Sequence, residues 1–271
     1  LVEAIEQYRE ADLSFLTSST QDADSLTVIK TEATRFIEAR GHIFQGYVYT
    51  SQGLRDKAIG EFRKTAALNP TDVLLKELNA ADHHRAFKLA QAGKMDQAIS
   101  LYRTMVQRVP GDEKAHYNLA LALKLHGQLH AALRHYREAA RLKPDYVIAV
   151  YNVGEVSEQL GDLDAAFSAY QKALKLKPEL IPALNSLSRL FAVGSDPGRR
   201  DPIKAVHLAE KANKLTDHQD PYLLETLSVA YEAAGRQADA ASIVRQAMSL
   251  ARKAGNNRLV QRLKSRLEHL K

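Results

Sequence analysis

The chain has 271 residues, of which 45% are hydrophobic and 26% charged, with 13 Gly, 8 Pro and no Cys. That composition suits a folded chain with a substantial core and argues against long disorder, and the missing cysteines exclude a disulfide framework, a zinc–cysteine site and a thiol nucleophile. Formal net charge is +6, and it resides in the tail: Arg252 to Lys271 holds seven bases and one acid, Glu268, so the rest of the chain balances.

The first 38 residues read as half a two-helix unit, a loop and a helix extension. Ala4, Tyr8 and Ala11 lie on one helical stripe within residues 1–16. Thr17 to Ala23 is polar, and a long helix is expected from about Asp24. Six two-helix units follow, at about 39–72, 79–112, 113–146, 147–180, 181–220 and 221–254, and residues 255–271 form a capping helix. A period of 34 residues sets these bounds. Gly93, Gly127 and Gly161 keep it, as do Ala98, Ala132 and Ala166, then Tyr102, Tyr136 and Tyr170, then Pro110, Pro144 and Pro178. Gly53, Ala58, Phe62 and Pro70 repeat the pattern earlier, and Gly235, Ala240 and Val244 repeat it later. Residues 73–78 lengthen one first helix, and an insertion from Val193 to Pro202 interrupts unit 181–220.

Each unit carries its own punctuation. Gly127 closes one helix in a left-handed conformation, and Pro144 stops the next because it lacks an N–H. Small residues at Gly46, Ala86, Ala120, Gly154, Ser188 and Ser228 let paired helices approach, while Tyr136 and Tyr170 fill the space toward the neighbouring pair. One pair cannot bury its own apolar faces, so the pairs must stack.

This Leu-Gly, aromatic, Ala, aromatic, Pro pattern resembles the tetratricopeptide repeat family, most closely at 113–146 and 147–180. In units 39–72 and 79–112 the first helices depart from it, with Gln45 and Arg85 where a large apolar residue is usual. The resemblance implies an all-α fold, a right-handed α-solenoid forming a single repeat domain over 1–271. It also implies a non-catalytic scaffold that binds a peptide segment or helix of a partner protein in a concave groove lined by first helices. The groove residues would be Phe44, Tyr47, His84, Phe87, Lys114, Tyr117, Asn118, Leu121 and Lys124, then Tyr151, Asn152, Glu155, Glu158, Asn185 and Arg189. Asn118 and Asn152, with Asn185 one residue off register, resemble the asparagine ladder of the O-linked N-acetylglucosamine transferase solenoid, which suits a peptide backbone. Lys114, Lys124 and Arg189 mixed with Glu155 and Glu158 do not form the carboxylate clamp of chaperone-binding members.

No site of chemistry is expected elsewhere. His126 and His130 are separated by the turn at Gly127, no phosphate-binding glycine loop follows a strand, and no nucleophile elbow is present. The chain is therefore read as not an enzyme, without metal or cofactor. Arg199 and Arg200 in the insertion could form a fork for an anion, although a tolerated surface loop explains them better. Arg258, Arg262, Lys264 and Arg266 form a basic patch that could meet nucleic acid or an anionic surface. The soluble face of a capping helix accounts for them more simply, so nucleic acid is not an expected partner. The competing reading is a structural or self-assembling arm of a larger, membrane-associated bacterial protein, which would form homo-oligomers. Ile203 to Asn257 loosely resembles the closing repeats of such proteins. The chain opens on Leu1, so membrane contact is expected only through a part not present here, and the compartment stays open between cytoplasm, the first expectation, and periplasm.

Overall fold

The computed structural model describes residues 23–68, 72–194 and 197–270. The expected half unit at 1–16, Pro70 and Lys271 lie outside the described residues. Among the described residues every regular element is helical, as an all-α fold requires. In chain order they are α1 (Ala23–Ser51), α2 (Arg55–Leu68), α3 (Asp72–Gln91), α4 (Met95–Arg108), α5 (Glu113–Leu125), α6 (Leu129–Leu142) and α7 (Val147–Gln159). Then come α8 (Leu163–Leu176), α9 (Ile181–Val193), a 3₁₀ turn (Pro197–Arg199), α10 (Pro202–Lys214), α11 (Pro221–Ala233), α12 (Gln237–Lys253) and α13 (Asn257–His269). The chain packs as two compact units, Leu1–Ala122 and Leu123–Lys271, with the boundary inside α5.

In unit 1 the small residues of the first helices sit where α1 and α3 cross their partners. A Cβ added to Gly46 would lie 2.4 Å from the Phe62 ring of α2, so only glycine fits there. Ala86 of α3 is fully buried, and Tyr102 of α4 is buried to 4% exposure. Unit 2 repeats the device: a Cβ on Gly154 would meet the Tyr170 ring at 2.6 Å, and Ser188 Oγ donates to Ala205 O at 2.7 Å. Tyr136 and Tyr170 are completely buried. Burying an aromatic side chain of that size contributes about 1.5–3 kcal/mol. A continuous core runs through Tyr170, Leu187, Phe191, Ala205, Leu227 and Tyr231, and a second joins Leu224, Val244 and Met248 to Leu259 and Leu263 of α13.

The turns inside the pairs follow from backbone chemistry. Gly161 adopts φ +81°, which lets Asp162 N–H reach back to Ser157 O at 2.9 Å and closes α7. The Asp162 carboxylate then accepts from Ala165 N–H and caps α8. At the end of α10, where the repeat lacks its closing proline, two non-glycine residues take positive φ, Asp217 (48°) and His218 (56°). That conformation costs roughly 1–2 kcal/mol per residue. Buried Asn213 offsets it: its side-chain amide donates to Ala209 O at 2.9 Å and Leu223 O at 3.0 Å, while its backbone carbonyl accepts from His218 N–H at 2.9 Å.

Candidate functional site on the first helices

The crossing residues Gly46, Ala86, Ala120, Gly154, Ser188 and Ser228 fix a common register for the first helices α1, α3, α5, α7, α9 and α11. Side chains one residue after, two before and six before the crossing lie within about 60° of one another around the helix. In unit 1 these positions hold Tyr47, Phe87 and Leu121, then Phe44, His84 and Asn118, then Arg40, Ala80 and Lys114. In unit 2 they hold Glu155, Arg189 and Val229, then Asn152, Ser186 and Thr226, then Ile148, Pro182 and Tyr222.

The unit 1 face exposes apolar surface. Tyr47 is 64% exposed, Phe87 55% and Phe44 46%. Lys114 is exposed, while Tyr117, Asn118 and Leu121 are half-buried. Arg40 packs its guanidinium over the Phe36 ring at 5.6 Å. Asn118 is already engaged, since its Nδ2 donates to His83 Nδ1 at 3.1 Å. That bond leaves the proton of neutral His83 on Nε2, which faces Asp112 Oδ2 at 3.8 Å, beyond hydrogen-bond reach.

Beneath this face lies a polar hub that the sequence reading missed. Asp82 is fully buried and binds Arg63 Nη2 of α2 at 2.6 Å and Arg108 Nη2 of α4 at 2.9 Å. Asn79, also buried, accepts from Arg108 Nη1 at 3.0 Å and donates to Asp112 Oδ2 at 2.8 Å and Met105 O at 3.2 Å. Burial alone would raise the Asp112 carboxyl. The neighbouring His83, the Asn79 amide and the Ala115 N–H outweigh it and hold the group well below its ordinary 3.8. One signal for the hub was available. Four residues before the crossing, unit 1 has His42, Asp82 and His116, where unit 2 has the buried aliphatics Val150, Leu184 and Leu224.

The unit 2 face is mainly polar and paired to itself, with Ile148 (37%) and Tyr222 (51%) as its exposed apolar side chains. Asn152 is buried at 5% exposure, donates to Ile148 O at 2.7 Å and accepts from Lys124 Nζ at 3.3 Å. Lys124 also binds Glu155 Oε2 at 2.8 Å. Arg189 binds Glu158 Oε1 at 2.5 Å, and Tyr170 donates its hydroxyl to Glu158 Oε2 at 2.9 Å. Burial first, then the Glu158 carboxylate, pushes the Tyr170 phenol far above the usual range. Tyr151 is half-buried with its ring 5.5 Å from that of Tyr170, and burial raises its phenol too. Asn185 is half-buried. Asn118 and Asn152 thus share a register position but differ in burial and in partner.

The basic patch divides in the same way. Arg262 forms a two-pronged pair with Glu225, and Arg266 binds Glu232 and Ser228 Oγ, so both fasten α13 to α11. Arg258 and Lys264 remain exposed. In the insertion, Arg199 binds Asp164 at 2.8 Å and Arg200 Nε donates to Gly194 O at 2.8 Å, so the two arginines serve separate partners. Among the described residues no three His, Cys, Asp or Glu gather as a metal site, and no helix is long and apolar enough to cross a membrane.

Stacked helix pairs with a glycine turn, a small crossing residue and a buried tyrosine define a helical-repeat protein. Residues 117–181 match the family model of the tetratricopeptide repeat, and that stretch carries tetratricopeptide repeats. Residues 53–147 match a second family model, described as the bacterial transcriptional activator domain. Among solved structures, pilF of Pseudomonas aeruginosa is 18% identical, with a TM-score of 0.59 over 86% of this chain and 99% of that one. YrrB, described as a TPR protein with an unusual peptide-binding site, is 16% identical, with a TM-score of 0.58 over 75% of this chain and 97% of that one. MamA of Desulfovibrio magneticus RS-1 is 17% identical, with a TM-score of 0.57 over 65% and 96%. Likeness at this identity establishes the fold. No curated protein matches the chain.

Proposed function

We propose that this chain is a non-catalytic protein-interaction scaffold that takes a peptide segment or helix of a partner on its first-helix face. The observation that carries this reading is the repetition of large exposed apolar side chains at one register position, Tyr47 (64% exposed, its edge against Phe62) and then Phe87 (55%). A folded chain hides such groups unless a partner covers them. Aromatic anchors of this kind supply most of the affinity in peptide docking. The peptide-binding site named for the fold relative YrrB is in keeping with this use. The contributing side chains are Phe87, Lys114, Tyr117, Asn118 and Leu121 on unit 1, and Lys124, Tyr151, Asn152, Glu155, Asn185 and Arg189 on unit 2.

The test is selection of binding peptides from a displayed random library on the full chain, followed by titration against Phe87→Ala and Tyr151→Ala. Loss of about tenfold in affinity, roughly 1.4 kcal/mol, in either variant is expected. Peptides that bind both variants as tightly as the parent place the binding surface elsewhere.

A further inference from the structure

The two faces differ in charge as well as in apolar surface. On unit 2 every wall cation named above has a carboxylate partner: Lys124 with Glu155, and Arg189 with Glu158. On unit 1 the wall cations are Arg40 and Lys114, at the same register position on α1 and α5, with Lys88 beside Phe87 on α3. All three are exposed, and none pairs with a carboxylate among the described residues. None of the unit 1 wall positions carries an acid. Asp82 of α3 and Asp112, just before α5, are turned inward and consumed by the hub, and Glu113, the first residue of α5, stands off the wall register and forms no ion pair with Lys114. Tyr47, Phe87 and Leu121 therefore form an apolar row flanked by positive charge to which, among the described residues, no carboxylate is bonded.

Resting on the scaffold reading, we propose that the first-helix face of unit 1 docks an acidic peptide segment bearing aromatic or aliphatic anchors. The apolar row takes the anchors, and Arg40, Lys88 and Lys114 take the carboxylates. The match of charge would speed encounter and reject basic segments, which would bring a like charge onto Lys114 and Arg40. The hub beneath is part of the arrangement. By holding α2, α3 and α4 together with paired charges, it keeps Asp82 and Asp112 away from the wall.

The experiment is fluorescence anisotropy on the full chain with three labelled 16-residue probes. One has Phe and Leu anchors among Asp and Glu; a second has Lys in place of each acid; a third keeps the acids and has Ser in place of each anchor. The first is expected to bind at least about tenfold more tightly than either of the others and to weaken steeply with added salt. Arg40→Glu with Lys114→Glu should cost the first probe about tenfold, and Tyr47→Ala with Phe87→Ala a similar factor. Arg40, Lys114 and Phe87 are exposed, so circular dichroism should match the parent; Tyr47 also packs its ring edge-on to Phe62 at 5.5 Å, so the Tyr47→Ala with Phe87→Ala variant is titrated well below its own melting temperature.

Equal binding of the acidic and basic probes, or an unchanged affinity in Arg40→Glu with Lys114→Glu, overturns the acidic partner while leaving the scaffold reading standing. Failure of both anchored probes to bind removes the face itself. A concentration-dependent dimer in sedimentation that dissociates in Phe87→Ala assigns the face to a second copy of this chain, and overturns the proposal as well.

Discussion

Unit 1 and unit 2 are built on one repeat and stabilised by opposite means. Four residues before the helix crossing, unit 1 places His42, Asp82 and His116, and unit 2 places Val150, Leu184 and Leu224. The unit 1 residues each need a partner. His42 Nδ1 bonds Glu61 Oε2 at 2.6 Å, Asp82 takes two arginines, and His116 Nε2 bonds Pro110 O at 3.1 Å. The unit 2 residues need only neighbours of the right shape. The first-helix faces differ in charge pairing: among the described residues the cations of the unit 1 face carry no carboxylate partner, whereas Lys124 and Arg189 of unit 2 are paired with Glu155 and Glu158, and both faces expose some apolar side chains. Carboxylates spent inside unit 1 are missing from its wall, and carboxylates on the unit 2 wall neutralise its cations. Repeat scaffolds tolerate such exchanges because each pair answers only to its neighbours.

The largest test of this contrast is at Asp82. Asp82→Ala leaves Arg108 beside a buried void while the 40% exposed Arg63 turns to solvent. The loss is therefore expected at the low end of the range for breaking a buried pair, about 3–5 kcal/mol. Hydrogen exchange is expected to show faster opening confined to α2, α3 and α4, while α8 to α13 keep parental protection. Uniform loss across both units would mean that they open together. Replacing Asp82 with Leu in a background that also carries Arg63→Met and Arg108→Met should recover much of the loss, since a well-packed apolar group often equals a buried ion pair.

The matching test in unit 2 is steric. Gly154→Ala puts a methyl group 2.6 Å from the Tyr170 ring, and the ring must tilt away from Glu158 and Tyr151. Overpacking of this kind costs about 1–3 kcal/mol. Denaturant titration followed by tyrosine fluorescence is the measurement. A loss below about 0.5 kcal/mol would show the Tyr170 site to be looser than its complete burial implies.

How far these features could be read beforehand depends on how local they are. Gly127, Gly161 and Pro144 announced turns because a left-handed backbone or a missing N–H is written in a single residue. Tyr136 and Tyr170 announced the core because they recur in register, and the all-α fold followed. The hub's pairings were unreadable for the opposite reason, although polar residues four before the crossing hinted at its presence. Arg63 meets Asp82 across 19 residues, Arg108 across 26, and Asn79 meets Asp112 across 33. No helical period links such separations. The asparagines show the same limit: Asn118 and Asn152 look alike in sequence, but the neighbouring helix offers His83 to the first, while Ile148 O and Lys124 take the second. The closing of α10 without proline was unreadable too, because it depends on Asn213 rather than on the turn residues.

Acid should separate the units next. Asp112 is held below its ordinary 3.8 by His83, Asn79 and Ala115 against the opposing effect of burial, and Glu61 is lowered from 4.5, chiefly by Lys64. A depressed carboxyl stabilises the fold above its unfolded value, and that stability is lost as pH falls through the folded value. Protection in α3 and α5 should therefore decline below about pH 4 before that of α9 and α11, whose interior at the equivalent positions is aliphatic. Exchange measured from pH 6 to pH 2.5 decides it. Asp112→Asn, which can still cap α5 but carries no charge, should flatten the decline in α5. A simultaneous loss in both units would locate the acid sensitivity outside the hub.

The smallest effect belongs to the self-paired wall of unit 2, and it bears on function more than on stability. Arg189 is half exposed and its pair with Glu158 is open to solvent, so Arg189→Ala should change stability by about 0–1 kcal/mol. The same change uncovers Glu158, which then keeps only the Tyr170 hydroxyl, and the wall gains negative charge. If unit 2 binds no acidic segment in its native state, Arg189→Ala should leave the acidic, anchored probe's affinity within about twofold of the parent. An affinity drop of tenfold would show that Arg189 exchanges Glu158 for a carboxylate of the partner, and unit 2 would have to be read as an acid-binding face in its own right.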